Sequence, residues 1–183
     1  MNVSPFVIFA LPRSRTAWTS FYLSQQTRFV GHDMALFCEK PDDFFTAFDN
    51  GMSGTVETGA VLGFRMIMDR LRGARFATIR RPINQVKRSL AQFGVIPVEG
   101  DLESKDRLLD ELERVPGVLS ISYDDLYDAA YRRRLFEHCL QEPFDTKWDG
   151  LTAHVNRQID VFAQLRVIEA RRNKIEALKA MLR

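Results

Sequence analysis

Residues 6–18 read FVIFALPRSRTAW, and this stretch decides the fold. Its first six residues form a continuous apolar run that ends at Pro12, which is typical of a strand buried on both faces of a parallel sheet. The polar sequence PRSR follows, and residues 16–24 have the composition of a helix. The stretch therefore predicts a strand, a short loop and a helix in direct succession.

The loop of residues 12–15 is suited to an anionic ligand. A loop that runs straight into a helix presents unpaired backbone N–H groups and the positive end of the helix dipole. Arg13 and Arg15 add positive charge. Ser14 and Thr16 add hydroxyl donors. We therefore expect this loop to bind a phosphate or sulfate group at the carboxyl end of the first strand.

The usual nucleoside-triphosphate loop, GxxxxGK[ST], is absent from this stretch. The loop has no glycine and no Lys-Ser/Thr pair, whose hydroxyl would hold Mg²⁺. No other acidic motif suggests a metal site, and Cys38 and Cys139 do not have metal-ligand spacing. We expect a phosphate handler without a metal. A P-loop kinase or phosphotransferase that uses ATP is an alternative.

Strand-like and helix-like segments alternate outward from this stretch. Further strands are expected at residues 27–31, 75–80 and 118–122, and a Gly-rich loop around a very short strand at residues 51–63. Helices are expected at residues 42–48, 64–71, 83–93, 102–112 and 126–140. The alternation predicts an α/β three-layer sandwich with a mostly parallel central sheet of about four to five strands.

The C-terminal residues have the spacing of one long helix, over residues 152–182. We expect a single domain over residues 1–183, with residues 150–183 as a helical appendage. The basic face of this helix is a solvated surface in the first interpretation and a homodimer contact in the second.

The composition fits a soluble globular protein, with 45% hydrophobic and 27% charged residues among 183. A net charge of +2 gives no global field that would attract nucleic acid or an acidic membrane, so neither partner is expected. The apolar run near the N-terminus is too short for a signal peptide or a membrane span. A cytoplasmic location is the default expectation.

The sequence PRSRTAW resembles the 5′-phosphosulfate loop of the sulfotransferases that use 3′-phosphoadenosine 5′-phosphosulfate (PAPS), commonly PKSGTTW or PRSGTTW. Arg15 stands where that pattern has glycine. The resemblance implies a P-loop nucleotide-hydrolase-like fold and PAPS as the sulfuryl donor. The donor-binding residues that it implies in this loop are Arg13, Ser14, Arg15, Thr16, Ala17 and Trp18.

A second stretch, RFATIRRPINQVKRSL at residues 75–90, is similar to the 3′-phosphate motif of the same family. In that motif an arginine at a strand end precedes a proline, and a serine lies about two helical turns further on. Arg81 has the usual interval to Ser89, whereas Arg80 has the usual offset to Pro82. Both arginines are therefore candidates for the 3′-phosphate, together with Ser89.

A third stretch, LSISYDDLYD at residues 119–128, looks like the strand and YEDL-type turn that follow in this family. We interpret it as structural, with Tyr123 packing and Asp124 or Asp125 capping a helix. The three matches occur in the order that the family has, which makes the set more specific than any one of them.

Sulfuryl transfer requires charge neutralisation at the leaving phosphate and a base for the acceptor. Arg13 is suited to the first role. For the base we favour His32 and Asp33, just after the second strand, where Asp33 acts directly or orients the histidine. A helix cap beside an exposed histidine is the competing interpretation, and Glu57 is a reserve candidate.

The acceptor is expected to be a small molecule or a carbohydrate that offers a hydroxyl or an amine. The aromatic side chains Phe37, Phe44, Phe45 and Phe48 are typical of a core-packed helix, with an acceptor pocket as the alternative. A sulfotransferase-like protein that binds nucleotide without turnover is also an alternative, because Arg15 and the slipped Arg–Ser spacing depart from the family pattern.

Overall fold

A computed structural model describes residues 4–25 and 27–155 of the chain. Its centre is a sheet of five parallel strands in the order β2-β3-β1-β4-β5. The strands are β1 (Phe6–Ala10), β2 (Phe29–His32), β3 (Met52–Glu57), β4 (Arg75–Arg80) and β5 (Leu119–Ser122). The predicted α/β class and parallel sheet are confirmed.

Helices cover both faces of the sheet. The α-helices are α1 (Thr16–Ser24), α2 (Pro41–Asp49), α3 (Phe64–Arg70), α4 (Ile83–Ala91), α5 (Asp101–Glu113), α6 (Ala129–Leu140) and α7 (Thr146–Thr152). Short 3₁₀ helices lie at Met34–Leu36, Ala60–Gly63 and Asp124–Tyr127. Apolar residues of α1 and α6 pack on one face of the sheet, and those of α2, α3, α4 and α5 pack on the other. The three-layer arrangement is therefore confirmed.

The central strand β1 joins the two cores because successive side chains of a strand point to opposite faces. Phe6 and Ile8 lie in the core with α1 and α6, whereas Val7 and Phe9 lie in the core with α2 to α5. All four side chains are at most 1% exposed. This explains why the run that opens the sequence is continuously apolar rather than alternating.

The Gly-rich segment 51–63 differs from the sequence prediction. We expected a loop around a very short strand, but Met52–Glu57 is a six-residue strand next to β1. Gly54 pairs with Phe6, and a Cβ on Gly54 would lie 2.3 Å from the Phe6 ring. The glycine is there because the aromatic ring occupies the space of its side chain, and the strand is longer than the very short one predicted.

Two expectations about helix boundaries are also corrected. The sequence predicts that Asp124 or Asp125 caps a helix after β5, but both lie in a 3₁₀ helix. Asp128 caps α6 instead, accepting a hydrogen bond from the backbone N–H of Ala130 at 2.8 Å. Thr152 is the last residue of α7 rather than the first of a long helix.

The remainder of the predicted long helix, and with it the predicted homodimer contact, lies outside the described residues.

Helix α7 is held against the domain by a buried polar cluster. The Asp149 carboxylate accepts hydrogen bonds from Arg132 at 2.6 and 2.8 Å and from the Tyr22 hydroxyl at 2.8 Å. The Trp148 indole N–H donates to the Tyr22 carbonyl at 2.7 Å. Within residues 4–25 and 27–155, no helix is long and apolar enough to cross a membrane.

Candidate functional site

The chain leaves two neighbouring strands in opposite directions at the carboxyl edge of the sheet. β1 leads into α1 on one face, and β4 leads through Pro82 into α4 on the other face. In open α/β sheets, ligands bind where two such loops diverge. The topology therefore places the PRSR loop beside the corner that contains Arg80 and Arg81.

The loop after β1 has a strained backbone and unused donors. Arg13 and Arg15 both adopt left-handed conformations, with φ of 64° and 57°. Such a conformation costs a non-glycine residue about 1–2 kcal/mol. No side chain caps the start of α1 and its first turn has no acidic residue, so the amides of Thr16 and Ala17 keep the positive end of the helix dipole open to an anion. The Ser14 hydroxyl is buried and has no hydrogen-bond partner among the described residues.

The second basic stretch meets this loop directly. Arg13 Nε donates a hydrogen bond to Ser89 Oγ at 3.2 Å, and Arg81 donates to the backbone carbonyl of Arg13. Two aromatic rings support these cations: Phe93 lies 4.2 Å from the Arg13 guanidinium, and Tyr123 lies 4.2 Å from that of Arg81. Burial and the neighbouring Arg81 charge lower the pKa of Arg13. A bound anion would relieve the repulsion between the two guanidinium groups.

The two adjacent arginines have different environments. The Arg80 guanidinium is 2.7 Å from Asp106, 2.8 Å from Asp110 and 3.8 Å from Glu113, all on α5. Its charge is therefore already balanced by carboxylates, whereas Arg81 lies at the loop. The geometry favours Arg81 over Arg80 as the partner of an anionic ligand, which the sequence alone left open.

Arg15 is held between aromatic rings. Its guanidinium lies 4.1 Å from the Trp18 ring centroid and 4.7 Å from that of Tyr127, and its Nη2 donates to the Ala153 carbonyl at 3.2 Å. The Trp18 ring is also stacked on Tyr22, with ring centroids 4.6 Å apart. Only 1% of the surface of Trp18 is exposed, so this residue supports the loop from the core. The predicted direct contact between Trp18 and a nucleotide would require Arg15 to move.

A cavity of about 310 Å³ opens beside this arginine, lined by Arg15, Trp18, Tyr123, Tyr127, Ala153, His154 and Val155. Tyr123 and Tyr127 pack edge to face with ring centroids 6.1 Å apart. The sequence predicts only a packing role for Tyr123 and does not single out Tyr127. The signal was present in YDDLYD, because tyrosines four residues apart on one helical turn share a face.

The predicted pair His32 and Asp33 lies at the same edge of the sheet. His32 Nε2 is 2.9 Å from the Thr16 hydroxyl, so the histidine touches the loop. Its Nδ1 is 3.6 Å from Asp33 Oδ2, which is longer than a hydrogen bond. Burial lowers the pKa of His32, which keeps the imidazole neutral near pH 7. Asp33 is 3% exposed and accepts hydrogen bonds from the backbone N–H and the hydroxyl of Thr58, at 2.6 and 2.9 Å.

Glu57, the reserve candidate, is completely buried at the end of β3. Its carboxylate accepts hydrogen bonds from the amides of Met34 and Ala35, at 2.8 and 3.3 Å, and from the Thr55 hydroxyl at 2.6 Å. Burial raises the pKa of Glu57 to about 7, although these hydrogen bonds oppose the rise. Glu57 therefore fixes the turn that follows His32.

Reciprocal hydrogen bonds thus join the ends of β2 and β3. The carboxylate of Asp33, after β2, binds the residue that follows β3, and the carboxylate of Glu57 binds the residues that follow Asp33. Among the described residues, no group of three or more His, Cys, Asp or Glu side chains is placed to hold a metal ion.

The described residues form an open parallel α/β sheet with a strand-loop-helix at its central strand. No protein-family model and no curated protein sequence matches the chain. Among solved structures it is similar to a gluconokinase from Sinorhizobium meliloti 1021, with a TM-score of 0.46 and 8% sequence identity, over 83% of this chain and 95% of that one. A likeness of this size assigns no activity, so the function is inferred from the geometry of the site.

Proposed function

We propose that the protein is a sulfotransferase that takes a sulfuryl group from PAPS. The observation that carries the proposal is the hydrogen bond between Arg13 and Ser89, which joins the loop after β1 to the helix after β4. These two stretches are the ones that resemble the 5′-phosphosulfate and 3′-phosphate motifs. A donor with anionic groups at two positions of one nucleoside needs two such stretches side by side.

Each anionic group of the donor has a suitable partner. Arg13, the buried Ser14 hydroxyl and the free amides at the start of α1 are suited to the phosphosulfate. Arg81 and Ser89 are suited to the 3′-phosphate, which PAPS carries and ATP lacks. The cavity lined by Tyr123 and Tyr127 offers aromatic surfaces for the adenine.

The proposed transfer is an in-line displacement at sulfur. The acceptor oxygen or nitrogen forms a bond to sulfur while the bond from sulfur to the phosphate oxygen breaks. The acceptor proton passes to the neutral imidazole of His32, and the Asp33 carboxylate stabilises the imidazolium that results. Arg13 neutralises the charge that develops on the leaving phosphate. The products are the sulfated acceptor and adenosine 3′,5′-bisphosphate.

A thermal-shift comparison tests the donor site. We expect adenosine 3′,5′-bisphosphate to raise the melting temperature of the wild type much more than ADP does. Arg81→Ala should abolish most of this difference. Arg80→Ala is the matched control, because Arg80 is bound to the carboxylates of α5. This substitution should lower the melting temperature of the free protein without changing the shift that the ligand produces.

Two results would overturn the donor assignment. One is an equal shift by the bisphosphate and ADP, and the other is a loss of the bisphosphate shift in Arg80→Ala but not in Arg81→Ala. Turnover is measured separately with ³⁵S-labelled PAPS and a panel of acceptors, with Arg13→Ala as the inactive control. Binding of the bisphosphate without any transfer would establish the non-catalytic alternative.

A phosphotransferase that uses ATP is the second candidate. It is favoured by the carboxylate of Asp33, which stands at the carboxyl edge of the parallel sheet with its Oδ2 3.6 Å from His32. A carboxylate in that place can take the proton of an acceptor hydroxyl in phosphoryl transfer as well. A shift produced by ATP only when Mg²⁺ is present, and larger than that of the bisphosphate, would select this candidate.

A further inference from the structure

We propose that a second cavity, between the ends of β2 and β3, binds a compact aromatic alcohol as the acceptor. Its volume is about 270 Å³. It is lined by Ala35, Cys38, Glu39, Lys40, Pro41, Phe44, Phe45, Ala60, Gly63, Met66 and Ile67. Its role as an acceptor site rests on the proposed transfer activity, whereas its binding of an aromatic ring does not.

The lining selects an apolar ligand. Phe44 and Phe45 are buried and pack edge to face at 5.4 Å, and Ile67 is also buried. The charged residues Glu39 and Lys40 are exposed, at the rim. A carbohydrate needs a hydrogen-bond partner for most of its hydroxyls, and an apolar wall leaves those groups unsatisfied. Of the two acceptor classes expected from the sequence, the cavity therefore favours the apolar small molecule.

The size of the cavity restricts the ligand further. Pockets for drug-sized ligands usually enclose about 300–1,000 Å³. At about 270 Å³ this cavity is slightly smaller, which suits one aromatic ring with short substituents. The aromatic walls favour a ring because offset and edge-to-face contacts add to the burial of apolar surface.

The position of the cavity brings such a ligand near the proposed base. Ala35 lines the cavity, and its backbone N–H is bound to Glu57. Ala35 is two positions after Asp33 in the chain, a span of at most about 7 Å. His32, which touches the loop through Thr16, directly precedes Asp33. This wall of the cavity is therefore joined by a short piece of chain to the end of β2, where His32 and Asp33 lie.

Binding of 4-methylphenol, measured by isothermal titration calorimetry without any nucleotide, tests the cavity. Gly63→Leu is the blocking variant, because a Cβ at Gly63 makes only an ordinary contact with Met66 at 3.7 Å and the rest of the side chain occupies the cavity. Gly150→Leu is the matched control, since nothing lies within 4 Å of a Cβ there and Gly150 is exposed on α7. Methyl β-glucoside serves as the carbohydrate probe.

The proposal expects 4-methylphenol to bind the wild type and Gly150→Leu equally, and Gly63→Leu at least tenfold more weakly. Methyl β-glucoside should not bind. Absence of 4-methylphenol binding, or equal binding to all three proteins, would overturn the proposal. Stronger binding of the glucoside would overturn the ligand class. These results do not depend on the donor, so they are distinguishable from a failure of the bisphosphate to shift the melting temperature.

Discussion

The buried carboxyl of Glu57 should give the protein an unusual dependence of stability on pH. Burial raises the pKa of Glu57 from 4.5 to about 7. Between these values the folded protein keeps a proton that the unfolded chain has released, so the free energy of unfolding falls as the pH rises. The difference between the two pKa values of Glu57 corresponds to a fall of about 3 kcal/mol in the free energy of unfolding between pH 4 and pH 8. Glu57→Gln should remove this loss because an amide does not titrate.

Urea unfolding at intervals from pH 4 to pH 8, followed by tryptophan fluorescence, measures the effect in both proteins. The comparison with Glu57→Gln is needed because His32, whose pKa is lowered by burial, contributes in the opposite direction below its ordinary value of 6.5. The difference in free energy of unfolding between the wild type and Glu57→Gln should change by about 3 kcal/mol from pH 4 to pH 8. Parallel curves for the wild type and Glu57→Gln would refute the raised pKa.

Three further outcomes follow from particular contacts. Asp149→Ala leaves the Arg132 charge buried without its partner and should lower the free energy of unfolding by about 3–5 kcal/mol in urea titrations, whereas a loss below 1 kcal/mol would mean that the pair is solvated. Gly54→Ala places a methyl group against the Phe6 ring and should cost about 1–3 kcal/mol, and an unchanged melting temperature would contradict the close approach. If His32 is the base, the transfer rate should be flat from pH 8 to pH 7 and fall only below 6.5, and a fall that begins above pH 7 would exclude it.

The part of the fold nearest the opening stretch could be predicted because its elements are adjacent in the chain. A buried strand, a polar loop and a helix start follow one another from residue 6 to residue 24, and each has a local signature. The extent of β3 could not be recognised in the same way, because the sequence predicts only a very short strand there. Gly54 reads as a turn residue in sequence, and only its distant partner Phe6 explains it.

The site shows the same division between local and distant information. The sequence identified both basic stretches, but the choice between Arg80 and Arg81 depended on carboxylates of α5 that are remote in the chain. The contact of Arg15 with Ala153 joins residues 138 positions apart and has no sequence signal. Such contacts are set by packing of whole elements, which no local pattern encodes.

The left-handed arginines of the loop have a consequence for ligand binding. Glycine would reach the conformations of residues 13 and 15 freely but would also leave them freely. Arginine disfavours these conformations, so they depend on other contacts, and here the side chains of Arg13 and Arg15 are held against aromatic rings. The loop is therefore pre-organised, so that little conformational entropy remains to be lost when an anion arrives. A site built in this way gains affinity through stiffness, and it discriminates against anions whose shape would require the backbone to adjust.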